Sequence, residues 1–251
     1  MDVTIIGAGN VGTVLGRQFV RSGHRIGQVW SRNSAHAAGL AAELGAENVE
    51  SIALLDKNAD LYLVAVTDDA LADVASQLSL GSNLVVHTAG SVLKQVLQAT
   101  SSSYGVLWPM KMIRRNMKEL GPVTIVVDGN TPAVTDRIAA LAAGFSTTVT
   151  RADDDLRLKL HMLAAVTSNF PNHLYRLAAD YCEQEKIDFS LLYPIIEDTA
   201  TRIRSAHPAT VQAGPAYRRD LQTLEKHEQL LRQYPKLAEL YEVISRNIMQ
   251  G

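Results

Sequence analysis

The sequence predicts an α/β chain in two parts, a doubly wound parallel sheet followed by an all-helical region. Three observations predict it. Short Val- and Ile-rich runs alternate with helix-length segments up to about residue 150, the pattern of repeated βαβ units. The strand-like runs are apolar on both faces, as in a sheet covered on both sides. Beyond Asp153 the strand signal stops and only helical patterns remain. The expected boundary therefore separates residues 1–152 from 153–251.

In order, strands are expected at Val3–Ile6, Arg25–Trp30, Leu61–Val66, Leu84–His87, Gly105–Leu107, Val123–Val127 and Thr147–Thr150. Between them, helices are expected at Val11–Ser22, Ala35–Leu44, Ala70–Leu78, Val92–Ala99 and Pro132–Ala143. In the second part, Leu156–Gln184 reads as one long apolar helix with Pro171 inside it, and Phe189–Ser205 as a second capped by Asp188. Gly214-Pro215 opens a third and Tyr234-Pro235 a fourth ending near Gln250, with proline at the permitted first turn.

Composition narrows the function. Of 251 residues, 47% are hydrophobic and 20% charged, enough to build a substantial core. The formal charge of −2 gives no basic field for a phosphate backbone, so nucleic acid is not an expected partner. The lone Cys182 cannot form an internal disulfide, and no Cys/His cluster has metal-ligand spacing. No run approaches the roughly 18 apolar residues of a membrane span, and Met1-Asp2 leads directly into the first strand. A cytoplasmic protein with no membrane partner is the expectation.

The first strand ends in Gly7-Ala8-Gly9-Asn10-Val11-Gly12, a Gly-x-Gly-x-x-Gly turn opening a helix. Gly7 suits the tight turn, Gly9 a close backbone approach to a pyrophosphate, and Gly12 tight helix–strand packing. The first helical amides, at Asn10 and Val11, then face the anion. After the second strand, an NAD site carries an acidic residue on the ribose hydroxyls. Here the residues are Ser31-Arg32-Asn33, which suit a 2′-phosphate instead, so NADP is the expected cofactor. Two later strand ends complete the cleft: Val66 and Thr67 before Asp68-Asp69, and the small turn Thr88-Ala89-Gly90, which lets backbone approach a nicotinamide. Asp68 or Asp69 can equally cap the following helix.

Within the long helix, Ser168 and Asn172 fall within about 20° of His161, and Asn169 about 80° round, on an ideal helical wheel. A polar stripe beside Ala165 suits a ligand, although buried amides satisfied by neighbouring helices give the same pattern. Pro171 withholds the amide that the Thr167 carbonyl would otherwise accept from.

At this point the sequence resembles known families. Gly7–Gly12, Ser31-Arg32, Asp68-Asp69 and His87–Ser91 are similar to NADP oxidoreductases of the pyrroline-5-carboxylate reductase and deazaflavin-dependent type. Gly105–Met110, His161–Ala165 through Ser168-Asn169, and Gln212–Asp220 resemble a narrower group with a C-terminal helical domain of uncharacterised function. That domain is related to the C-terminal domain of 6-phosphogluconate dehydrogenase. The resemblance implies a Rossmann sheet and NADP. This chain departs from the group in reading Trp108-Pro109-Met110-Lys111-Met112-Ile113 for His-Pro-x-Gln-Thr-Phe, and Ala213-Gly214-Pro215 for Thr-Gly-Pro. It also lacks the lysine that related hydroxyacid dehydrogenases place one turn from an asparagine.

The expected reaction is hydride transfer between NADPH and a small carbonyl or imine. His161 is the candidate proton donor, since histidine ordinarily titrates near neutrality. Ser168 and Asn169 would orient the substrate oxygen. Pro109, Lys111 and Arg218 are candidate substrate contacts, Lys111 by attracting a carboxylate. The long apolar helix suggests a homodimer through the helical domain. Two rivals stand beside this reading: a non-catalytic NADP-binding sensor or regulator, and a reductase passing hydride to a deazaflavin or flavin.

Overall fold

A computed structural model describes all residues, 1–251. It forms two compact units, Met1–Val166 and Thr167–Gly251. The first runs further than the expected limit at residue 152.

In the first unit the order is β1 (Asp2–Ile6), α1 (Asn10–Arg21), β2 (Arg25–Trp30), α2 (Ser34–Leu44), β3 (Glu47–Asn48), β4 (Leu61–Val64), α3 (Asp68–Ser76) and β5 (Leu84–His87). Then follow β6 (Ser103–Met110), β7 (Thr124–Gly129), α4 (Pro132–Ala143), β8 (Thr148–Arg151) and α5 (Asp154–Ala164). The eight strands lie in the order β3-β2-β1-β4-β5-β6-β7-β8. All neighbours are parallel except β6 and β7, which are antiparallel. The run β3-β2-β1-β4-β5-β6 is the dinucleotide-binding order, and its direction reverses between β1 and β4.

One face carries α1, α2 and α4 over a core of Ile5, Val14, Leu15, Phe19, Leu40, Leu63 and Ile138. On the other face α3 packs Leu71 and Val74 against Ile6, Tyr62 and Val64. Strands buried on both faces cannot alternate in polarity, which is why they read as continuous apolar runs.

The differences from expectation are local. β3 is two exposed residues, too short to register as a pattern. β6 extends well past Gly105–Leu107 because β7 pairs with it through Met110. Pro109, which cannot donate to a ladder, sits beyond the last β5 pairing at His87–Val106. The helix expected at Val92–Ala99 is a single 3₁₀ stretch, Lys94–Leu97.

The long helix expected over Leu156–Gln184 is broken. α5 ends at Ala164, a π-helical turn covers Ala165–Asn169, and α6 spans Phe170–Glu185. Pro171 removes an amide from the ladder, and a π turn is one way a helix absorbs that loss. The wheel that aligned His161 with Ser168 assumed unbroken 100° steps, so its alignment does not carry across this turn.

In the second unit α6 is followed by a 3₁₀ turn at Phe189–Leu192, α7 (Tyr193–Arg202), α8 (Pro208–Val211), α9 (Leu221–Leu231) and α10 (Pro235–Gln250). Asp188 accepts from the Ser190 amide at 2.9 Å, as the expected cap should. Gly214-Pro215 does not open a helix. Residues 214–219 are turns, closed by an Asp220 N–H bond to the Pro215 carbonyl at 2.9 Å. α9 starts instead where the Asp220 carboxylate accepts from the Thr223 amide at 3.1 Å. α10 packs against α6 and α9, burying Leu177, Cys182, Leu224 and Leu231 within the unit. No helix is long and apolar enough to cross a membrane.

Candidate cofactor cleft and active site

β1 runs into Gly7, whose N–H donates to the Trp30 carbonyl at 2.7 Å and ties the turn to the end of β2. Gly7 stands at φ +110°, where a Cβ would meet the Ala65 carbonyl oxygen at 2.4 Å. A Cβ on Gly12 would lie 1.9 Å from the Gly7 carbonyl oxygen, whereas Gly9 faces open space. Gly9 is also the N-cap of α1 and offers no side-chain cap, so the first amides of the helix stay available to an anion. The backbone here is shaped to close on a pyrophosphate.

The turn forms one wall of a cleft of about 380 Å³, with Ser31 and Arg32 after β2 and Val66 and Thr67 after β4. Asn10 and Val11 line it too. It lies beyond the carboxyl ends of β1, β2 and β4, at the point where strand order reverses, where ligands of open α/β sheets bind. Arg32 is exposed at its edge. The Asp69 carboxyl is held below its ordinary value chiefly by the Thr67 hydroxyl, with the Arg32 charge a smaller cause.

Two features of the cleft were not foreseen. His36 lines it from the first turn of α2. Asn33 commits its side-chain oxygen to capping α2, accepting from the His36 amide at 3.0 Å.

The second group of site residues surrounds the turn after β5. Thr88, Ala89 and Gly90 are buried, and the Thr88 N–H donates to the Val64 carbonyl at 3.2 Å. His87, fully buried, accepts from the Ala89 N–H through Nδ1 at 3.2 Å, while its Nε2 has no partner. Burial pushes its pKa down to about 4, helped by the nearby Arg157 charge, so it is neutral near pH 7. Ser91 donates to the Asp68 carboxylate and pins the turn to α3.

His161, on α5, packs its ring 5.6 Å from that of Trp108 on β6. Gly90 lies beneath both: a Cβ there would fall 2.5 Å from His161 Cδ2 and 2.8 Å from Trp108 Cε2. Three stretches singled out from the sequence, the Thr88–Gly90 turn, Trp108 and His161, therefore meet in one place.

Sequence reasoning missed the cluster that holds this arrangement. Arg157 on α5 is 1% exposed, donates to the Val92 carbonyl at 2.5 Å and pairs with Asp154 at 2.5 Å. Lys94 pairs with Asp128 at 2.7 Å and Asp154 at 3.5 Å, and its amide donates to the Asp154 carboxylate. Burial alone would lower Lys94 and raise Asp154, but the pairing reverses both, raising the ammonium and lowering the carboxyl. The first turn of α5 thus clamps the segment after the Gly90 turn. The available signal was the three consecutive aspartates Asp153–Asp155, of which only Asp153 is the N-cap, followed within one turn by Arg157.

Pro109 is buried in β6, and Lys111 braces the following loop by donating to the Leu120 and Pro122 carbonyls at 2.8 and 3.2 Å. Ser168 and Asn169 lie in the π-helical turn, and Arg218 is exposed in the turns before α9. The residues include no grouping of His, Cys, Asp and Glu suited to a metal.

The fold and cleft are of the Rossmann type that NADP-dependent oxidoreductases share. Residues 2–90 match the family model described as "NADP oxidoreductase coenzyme F420-dependent". Residues 123–248 match the model described as "Domain of unknown function (DUF2520)", and the chain belongs to that family.

A Bacteroides fragilis protein provisionally named an NADP oxidoreductase is 32% identical, with a TM-score of 0.92 over 100% of this chain and 98% of its own. A reductive aminase from Aspergillus terreus, solved with NADPH and ethyl levulinate, is 20% identical with a TM-score of 0.73, covering 100% and 94%. Among curated proteins, a glycerol-3-phosphate dehydrogenase [NAD(P)+] of Pseudoalteromonas translucida (strain TAC 125) is 30% identical over 122 residues, 47% of this chain. The chain spans a third of that relative's length.

Proposed function

We propose that this chain is an NADPH-dependent reductase acting on a small carbonyl or imine beside the Thr88–Gly90 turn. The observation that carries this reading is the convergence of His161 and Trp108 on Gly90, next to a cleft shaped for a dinucleotide. NADPH, when bound, supplies the hydride. The first amides of α1 and the Gly7–Gly12 turn hold the pyrophosphate, and Ser31 and Arg32 take the 2′-phosphate. The substrate atom that gains negative charge needs a proton, and the His161 imidazole, exposed on α5, is the group to give it. Trp108 fixes the ring, and the buried Arg157–Asp154–Lys94–Asp128 cluster fixes the turn beneath it.

The test is consumption of NADPH by the full chain against keto acids, cyclic imines and ketone–amine mixtures. Turnover that falls about 10²- to 10⁴-fold in His161→Gln, with NADPH affinity kept, is the expected result for a general acid. Full turnover in that variant refutes the assignment. Ser168→Ala, Asn169→Ala and Arg218→Ala in the same assay test whether those side chains orient substrate.

The family model naming coenzyme F420 favours one second reading, a deazaflavin as hydride acceptor, which belongs in the same panel. Tight NADPH binding with no turnover on any acceptor would favour a non-catalytic sensor. The helical unit leaves Phe170, Leu191 and Ile195 exposed, which supports a homodimer formed through that unit; light scattering of the pure protein decides it.

A further inference from the structure

The loop between β6 and β7, residues 111–123, crosses the face of the sheet that carries α1 and α2, burying Ile113 and Leu120 in the core there. It is anchored to α1, and through Arg17 to α2. The Arg115 N–H donates to Asn10 Oδ1 at 3.1 Å, at the first residue of α1. Arg17 of α1 donates to the Arg115 and Met117 carbonyls at 2.6 and 2.7 Å, and its guanidinium is itself paired with Glu43 of α2. These anchors use only the backbone of Arg115, so they fix where the residue stands without engaging its charge.

The half-buried Arg115 guanidinium reaches the His36 carbonyl at 3.5 Å. Asn10 and His36, the two residues Arg115 touches through its amide and its guanidinium, both line the cofactor cleft, as do Ser31 and Arg32. Arg115 forms no ion pair: nearby Glu43 feels its charge only as the smallest cause of its lowered carboxyl and is taken by Arg17 through both of its oxygens, at 2.5 and 3.0 Å. A cation held by its own backbone at the lip of an anion site, and left unpaired, is suited to a phosphate.

We propose that Arg115 is a second specificity-determining residue for the 2′-phosphate of NADP, closing on it from the loop side while Arg32 approaches from the end of β2. This rests on the NADP reading above and adds to it a loop 79 residues further along the chain than His36. A phosphate bound between the two guanidiniums accepts hydrogen bonds from both, and a dinucleotide without that phosphate gains nothing from Arg115.

The experiment titrates the full-length wild type, Arg115→Ala, Arg115→Lys and Arg32→Ala with NADPH, NADH and adenosine 2′,5′-bisphosphate. The expected result is a loss of about 10-fold or more for NADPH and the bisphosphate in Arg115→Ala, a smaller loss in Arg115→Lys, and NADH affinity unchanged. Because the loop anchors are backbone groups, the variant should melt at the wild-type temperature, which the same samples report. Equal losses for NADPH and NADH would overturn the proposal, making Arg115 a brace for the shared part of the cofactor. Unchanged affinities would overturn it as well. If the wild type fails to distinguish NADPH from NADH, the NADP reading itself fails, an outcome visible before any variant is compared.

Discussion

Replacing His87 by asparagine removes a titrating ring from the centre of the first unit while keeping an acceptor for the Ala89 amide. His87 has no exposed surface, and its pKa is pushed to about 4 by burial, with the Arg157 charge assisting. The fold therefore favours the neutral ring, whereas in the unfolded chain histidine protonates near 6.5. A base whose folded pKa is depressed contributes stability that is complete above the unfolded value and is lost as pH falls from about 6.5 to about 4.

Between about 4 and 6.5, at roughly 1.36 kcal/mol per pH unit, the ring's contribution is of order 3 kcal/mol, of which about 2 kcal/mol is lost by pH 5. Carboxylates titrate little in that upper window. His24, also lowered by burial, adds a loss of the same sign that both proteins share. Urea unfolding followed by tryptophan fluorescence reports this unit, since Trp30 and Trp108 lie in β2 and β6. Wild type should lose about 2 kcal/mol more than His87→Asn between pH 7 and pH 5. Parallel losses in the two proteins would refute the claim that His87 is held neutral.

Arg157→Leu leaves Asp154 and Asp128 to Lys94 alone and should cost about 3–5 kcal/mol in urea unfolding, the range for breaking a buried ion pair. In wild type, acid should release the same cluster: the lowered Asp154 carboxyl contributes stability above about pH 4 that is lost below it, seen as a steeper fall in the urea midpoint than in Asp154→Asn. Gly12→Ala places a methyl 1.9 Å from the Gly7 carbonyl oxygen, so NADPH affinity should fall by at least about 100-fold or the fold should fail, read by titration and melting together. Gly90→Ala pushes against His161 and Trp108, so turnover should drop with NADPH affinity within about 3-fold of wild type, measured by steady-state kinetics and titration.

What was legible in the sequence is what depends on local pattern. Apolar runs such as Leu61–Val64 and Leu84–His87 declare buried parallel strands, and the Gly7–Gly12 spacing declares the turn between β1 and α1. Of the residues lining the cleft, Asn10 and Val11 come from the glycine turn and its helix start, and Ser31, Arg32, Val66 and Thr67 from the rule that ligands sit beyond strand ends.

What was not legible depends on contacts distant in sequence. Arg157 and Lys94 are ordinary surface types until the fold buries them against Asp128 and Asp154. Arg115 looks like one more charge in a loop until that loop is laid beside Asn10 and His36. The π turn at Ala165–Asn169 was hidden because the wheel assumes a uniform helix, although Pro171 gave a reason to doubt it. Pro215 misled because proline also suits turns, while Asp220 carried the capping signal for α9.

On the reading proposed above, the cleft at the ends of β1, β2 and β4 holds NADP and Arg32 reads its 2′-phosphate. The decisive measurement is titration of the full chain with NADPH and NADH, with Arg32→Ala alongside. NADPH should bind about 10- to 100-fold more tightly than NADH, and Arg32→Ala should remove most of that difference, leaving only the part that Arg115 supplies. Binding of neither dinucleotide would contradict it, leaving the Gly7–Gly12 turn as a structural feature and ending the oxidoreductase reading.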